Sequence, residues 1–360
     1  MSAGATWAAS NKLSMSESVS SLTSRAELYP PVEVFVAHPP RQRTWLYVLF
    51  FLLTVLSTLV MGARMEFNFQ HNMPPFAVDD QTLSFFPLRW ALAHPANLLL
   101  GLPFSATLML ILFAHEMGHY LYCRYYGVAA TLPFFVPFPS LIGTMGAFIR
   151  IKSPIRSRAA LFDIGIAGPI AGFVFACAAL AAGLHLCKPI PPLGLPGDLQ
   201  LGYPLIFTVM SRLVGGPSFH LSNMYLHPVA IAAWVGMFAT ALNLLPGGQL
   251  DGGHIVYSVS PKLHRFISKL TILLLIPLGI YRWLGWLVWA VLLGLTGMHH
   301  PQVREWPGLT GVRRWLAVFA IVMLVLTLTP TPFTQSSAKD VGREFLPAVR
   351  ESLGHVLRHH

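Results

Sequence analysis

Long apolar runs, broken by short polar, basic or Pro/Gly-rich stretches, fill most of the chain between residues 45 and 330. A helix rises 1.5 Å per residue, so about 20 apolar residues cross a hydrocarbon core of ~30 Å. On that measure the runs predict membrane segments near 45–63, 98–122, 160–186, 228–246, 266–281, 283–298 and 314–329. The expected fold is an all-α polytopic membrane protein with about six or seven transmembrane helices. Only Tyr281-Arg282 divides the fifth run from the sixth, so 266–298 reads either as one broken element or as two. Residues 1–44 are Ser-rich, then Pro-containing, with no apolar stretch following Met1. They are expected to form a disordered cytosolic tail rather than a secretion signal, and 331–360 a C-terminal tail.

Residues 129–153 fit neither a membrane helix nor a polar loop. Leu132-Pro133-Phe134-Phe135-Val136-Pro137-Phe138-Pro139 has too many prolines for a helix interior. Ala147-Phe148-Ile149-Arg150-Ile151 alternates like a short strand. Together they predict a re-entrant β-hairpin-like loop, tolerable at membrane depth where it lines a wet cavity. The alternative is an interfacial loop with buried aromatics.

Composition agrees with a multispan protein, since 54% of residues are hydrophobic and 11% charged. The net charge of +10 raises nucleic acid as a partner, but the basic residues are scattered between apolar runs, which excludes a binding stripe. They read instead as orientation signals. Arg150, Lys152, Arg156 and Arg158 lead a bias that puts the N-terminus and the 129–158 region on the inner side. Three cysteines, Cys123, Cys177 and Cys187, make neither a disulfide framework nor a zinc-finger spacing.

Chemistry enters at His115-Glu116-Met117-Gly118-His119, inside the second apolar run. Residues i and i+4 share one helix face, so the two imidazoles can grip one zinc ion. Glu116 then lies within reach of the water completing the metal's shell. A charge and two imidazoles in hydrocarbon are costly without partners, which argues against two satisfied core histidines. Asn243-Leu244-Leu245-Pro246-Gly247-Gly248-Gln249-Leu250-Asp251-Gly252-Gly253-His254 ends the fourth run. Its Pro and Gly residues break the helix and can turn Asp251 toward a neighbour. Two His and one carboxylate, with one position open, is a catalytic zinc set. Asp251 as the N-cap of a helix opening at Gly252 is the bland alternative.

An HExxH sequence in a membrane segment with a later Asn-x-x-Pro-x-x-x-x-Asp-Gly-Gly resembles the site-2 protease family of intramembrane zinc metalloproteases. Thr131 to Phe134, Ile142 to Pro154 and Phe162 to Pro169 are similar to its subgroup without a PDZ domain, which includes bacterial and plastid proteins. The likeness covers roughly 45–330, the expected protease domain. It implies zinc ligands His115, His119 and Asp251, with Glu116 as base. Asn243, Pro246, Gly252, Phe134, Gly143 and Gly146 are expected to bind substrate or support the site. The implied substrate is a transmembrane protein, and the implied setting a bacterial inner membrane with the active site toward the cytosol.

The rival function is a metal-ion transporter built on the same His, His and Asp. Against it, no inverted repeat is visible, and a Glu between paired His suits hydrolysis. Gly168-Pro169-Ile170-Ala171-Gly172 has the small-x-x-x-small spacing of close helix packing. Asp163 is expected as a helix N-terminal acid, His254 as a loop or supporting group near the metal, and His299-His300 as interfacial.

Overall fold

The computed structural model describes residues 44–333 except 77–85, 94, 191–200, 218, 296–302, 304–308 and 310. The expected tail before residue 44, that after 333, and His299-His300 lie outside the described residues.

Helix α1 (Thr44–Gln70) extends past its apolar run, and within it Thr54 and Thr58 each return their hydroxyls to the carbonyl four residues back. Two short helices, α2 (Leu88–Ala93) and α3 (Pro95–Leu100), lead into α4 (Leu102–Tyr125), which opens with Pro103 in its first turn. A hairpin follows, β1 (Phe134–Pro137) antiparallel to β2 (Thr144–Phe148). Then come α5 (Arg158–Leu186), capped by the Ser157 hydroxyl on the Ala160 amide, and α6 (Leu205–Gly215). The strand pair β3 (Lys188–Pro189) and β4 (Met224–Tyr225) flanks α6. The rest is α7 (Pro228–Leu244), α8 (Asp251–Val259), α9 (Pro261–Tyr281), α10 (Gly285–Leu295) and α11 (Val312–Thr327).

Among the described residues, three helices are long and apolar enough to cross a membrane: α1, α5 and α9. The fifth and sixth runs are two helices, α9 and α10, separated by a short turn and packed on each other. Helix α6 was not expected from the hydrophobic pattern, whereas α8 stands where a helix opening at Gly252 was one of the two readings.

The core lies where α4, α5 and α7 meet. Phe104, Leu108 and Ile111 from α4 pack with Ala176 and Leu180 from α5 and Ile231 to Met237 from α7. The hairpin sits against the first turns of α1, where Phe134 meets the rings of Tyr47 and Phe50. Its tip is held by Gly143, whose φ of +78° few L-residues adopt and whose carbonyl accepts the Ser57 hydroxyl. Thus β1 lies toward α1, leaving β2 as the strand nearer α4.

Candidate metal centre

Helix geometry brings the first two donors together. His115 and His119, one turn apart on α4, point their Nε2 atoms to within 3.2 Å of each other. The third comes from the turn after α7. Pro246 to Gly248 end that helix, and Asp251 opens α8 with its Oδ2 3.3 Å from both His115 Nε2 and His119 Nε2. Asp251 is not an N-cap: Leu250 occupies that position, and no side-chain cap bond forms.

These separations suit a single metal ion. Zinc with bonds of about 2.0–2.1 Å in a tetrahedron holds its ligand atoms roughly 3.3 Å apart. Asp251 Oδ2 is buried without a hydrogen-bond partner, and a bound cation satisfies such an atom. His119 Nδ1 lies 2.7 Å from the Ile164 carbonyl, which can only accept. The proton is therefore on Nδ1, and Nε2 presents its lone pair to the site. Among the described residues this is the one such cluster of His, Cys, Asp and Glu.

Close packing by α5 makes the site possible. A Cβ at Gly168 would overlap the His119 ring, and one at Gly172 would come 3.0 Å from His115 Nδ1. The two glycines share the four-residue spacing of the histidines, so each faces one imidazole across the α4–α5 contact. The small-x-x-x-small pattern is a packing feature, and what it packs against is the donor pair.

A second support was not read from the sequence. His264, Ser268 and Thr271 line one face of α9, all buried. His264 Nε2 donates to the Gly248 carbonyl at 2.9 Å, the Gly248 amide donates to Ser268 Oγ at 3.4 Å, and the Thr271 hydroxyl donates to the Pro246 carbonyl at 3.2 Å. Three polar groups at helical spacing thereby fix the turn that delivers Asp251.

A cavity of about 210 Å³ opens over the donors. Glu116, 6% exposed, faces it, and the Ile149 amide lies against the Glu116 carboxylate. Asn243 Nδ2 is 3.2 Å from His115 Nε2. His254 lines this cavity without joining the donor cluster. Of the other expected site residues, Gly146 borders an adjoining cavity beside Glu116. Phe134 and Gly143 line neither, serving to dock the hairpin on α1. Pro246 and Gly252 act on the Asp251 turn; a Cβ at Gly252 would overlap the Leu244 carbonyl.

The hairpin presents an edge. The Arg150 carbonyl and the Lys152 amide turn toward the first limb, pairing with Thr131 and Ala129. By the two-residue repeat, Ala147, Ile149 and Ile151 turn the other way, and all three line the cavity.

Asp163 departs from its expected role. It lies in the second turn of α5 and takes both Arg313 Nε (2.9 Å) and Arg313 Nη2 (2.7 Å), with the Tyr126 hydroxyl donating to it. Burial and that bond raise the Tyr126 hydroxyl above its ordinary pKa. This ties α11 to the start of α5.

Residues 103–278 match peptidase family M50. The chain is 30% identical, over 85% of its length, to the "Probable zinc metalloprotease EGY1, chloroplastic" of Oryza sativa subsp. japonica, covering 54% of it. It is equally similar to the Arabidopsis thaliana protein of that name, covering 57%. The Arabidopsis thaliana "Probable zinc metalloprotease EGY2, chloroplastic" is 33% identical over 44% of this chain and 29% of that one. The chain spans about half the length of the curated relatives first compared. Their names place those relatives in chloroplasts and lend no support to the bacterial inner membrane expected above.

Proposed function

We propose that this chain is an intramembrane zinc metalloprotease, a reading supported by the match of residues 103–278 to peptidase family M50 and by the similarity to EGY zinc metalloproteases. Its substrates are membrane proteins cleaved in or near a transmembrane segment, in regulatory proteolysis or in clearing membrane remnants. The observation that carries this reading is the convergence of His115, His119 and Asp251 beside Glu116, in a cavity that Ala147 and Ile149 of the hairpin also line.

His115, His119 and Asp251 hold the zinc, which when bound supplies a Lewis acid for activating water and polarising the scissile carbonyl. Glu116 takes the proton from the attacking water and returns it to the leaving nitrogen. The Asn243 amide is placed to donate to the carbonyl oxygen as negative charge develops there. A helical substrate hides its carbonyls in i to i−4 bonds, so the cleaved stretch must unwind first. The outward amide and carbonyl of Ala147 and the carbonyl of Ile149 replace those bonds by strand addition.

In the bilayer, α1, α4, α5, α7, α9 and α11 form the crossing elements, with α10 a shorter seventh. The Lys and Arg bias sets the hairpin end and the start of α1 on the inner side, and the packing of Phe134 on Tyr47 and Phe50 supports their sharing one end. No observation favours ion transport. The test is cleavage of a membrane-anchored reporter by purified protein in vesicles. Cleavage should stop with a chelator and return with zinc; cleavage indifferent to chelation would remove the metal from the mechanism.

A further inference from the structure

Two cavities meet at the metal centre, sharing His115, Glu116, Ala147 and Asn243. The first carries the polar side chains of Asp251, His254 and Gln249. The second, about 130 Å³, runs from Glu116 toward α7 and α10. Its α7 wall is Gly236, Ala239 and Thr240, which share one helix face, and Trp289 of α10 also lines it. Thr240 has its hydroxyl bonded to the Gly236 carbonyl at 2.9 Å, leaving its methyl for the cavity. Away from the shared catalytic groups, the described lining holds no charged side chain, and its only polar atoms on side chains are the Thr240 hydroxyl, already bonded, and the Trp289 indole N–H.

We propose that this second cavity is the specificity subsite of the protease, taking one aliphatic side chain that flanks the scissile bond, with Ala239 and Trp289 setting its size limit. The assignment rests on the proteolytic reading above. A strand paired along Ala147 and Ile149 sends alternate side chains to opposite sides, and Ala147 borders both cavities. One side chain next to the attacked bond therefore enters the α7 side while its neighbours point away. A dry cavity of about 150 Å³ holds a benzene ring, so 130 Å³ suits Val, Leu, Ile or Met and refuses Trp. A charged side chain would find no partner there. Gly236 is not the limiting position, because a Cβ there would come 2.6 Å from Ile111 Cγ2 and move α7 instead.

The experiment uses full-length protein in phosphatidylcholine vesicles with reporters varied at each of three residues on either side of the mapped cleavage point. Wild type should prefer aliphatic residues at one of those positions, with losses of about 10- to 200-fold for Trp, Asp or Lys there. Ala239→Leu should turn that preference toward Gly and Ala, and Trp289→Ala should admit Phe. Ala239→Val and Trp289→Phe are milder versions should the larger changes impair folding, and zinc content reports the fold in each. Cleavage by all variants with one unchanged residue profile would overturn the subsite and leave the protease intact. If wild type cuts no reporter, the proteolytic reading falls and the subsite with it.

Discussion

Gly168 stands directly against the His119 imidazole, with no room for even a methyl group between α5 and the metal donor. Gly168→Ala should therefore displace His119 and weaken zinc binding by about 10- to 100-fold, the usual effect of disturbing a ligand's support. Gly172→Ala should do less, because its Cβ would stop 3.0 Å from His115 Nδ1. Zinc titration of the purified variants checks the order. Equal affinities in Gly168→Ala and wild type would show that the contact is slack.

The donor set separates Asp251 from His254, one turn later on α8. Asp251→Ala should cost zinc affinity more than any change in a supporting residue, since an oxygen donor is lost outright. His254→Ala should keep about one zinc per chain. Elemental analysis after desalting decides it, and full retention in Asp251→Ala would exclude that carboxylate as a ligand.

The α9 clamp makes a prediction at a distance. Ser268→Ala with Thr271→Val removes two bonds to the Pro246–Gly248 turn without altering any donor. Zinc affinity should fall about 10-fold while α9 keeps its packing. His264→Gln, which keeps a donor in reach of the Gly248 carbonyl, should be milder than His264→Leu. If all these variants bind zinc like wild type, the turn holds itself.

Much of this site was legible because its signals are local. The four-residue spacing of His115 and His119 on α4, and prolines followed by alternation in 129–153, depend only on helix and strand periodicity. The joint pattern from Asn243 to Asp251 supplied the third donor. Features hidden from the sequence depend on which surfaces meet. Gly168 and Gly172 announced close packing but not their partner, although the matching spacing of His115 and His119 was there to compare. The α9 stripe was cut by starting that run at 266, which dropped His264. Asp163 and Arg313 are 150 residues apart, and no local rule joins them.

That pair supports a prediction of its own. Arg313→Leu leaves Asp163, with side-chain exposure of only 12%, without its cation. The Arg313 side chain is 34% exposed, so the loss should be smaller than for a fully buried pair, about 1–3 kcal/mol of stability. Asp163→Asn in the Arg313→Leu background should recover part of it by removing the stranded charge. Thermal unfolding in detergent gives the comparison, and additive losses would mean that the two side chains are not coupled.

Glu116 separates an enzyme from a transporter. It lies one residue from His115 on α4, buried at 6% exposure, and stands outside the donor cluster. Its proposed work is proton transfer, so Glu116→Gln should hold zinc like wild type yet lose cleavage of a membrane-anchored reporter. Loss of a general base costs about 100- to 10,000-fold in rate. The amide keeps the size of the side chain and can still meet the Ile149 amide through its oxygen. Folding and substrate binding should therefore survive, and the variant should retain uncut substrate in a pull-down. A transporter on the same donors would cut no reporter in either form and would change only its ion flux. Equal cleavage by wild type and Glu116→Gln, at equal zinc content, would leave Glu116 without the role its position suggests.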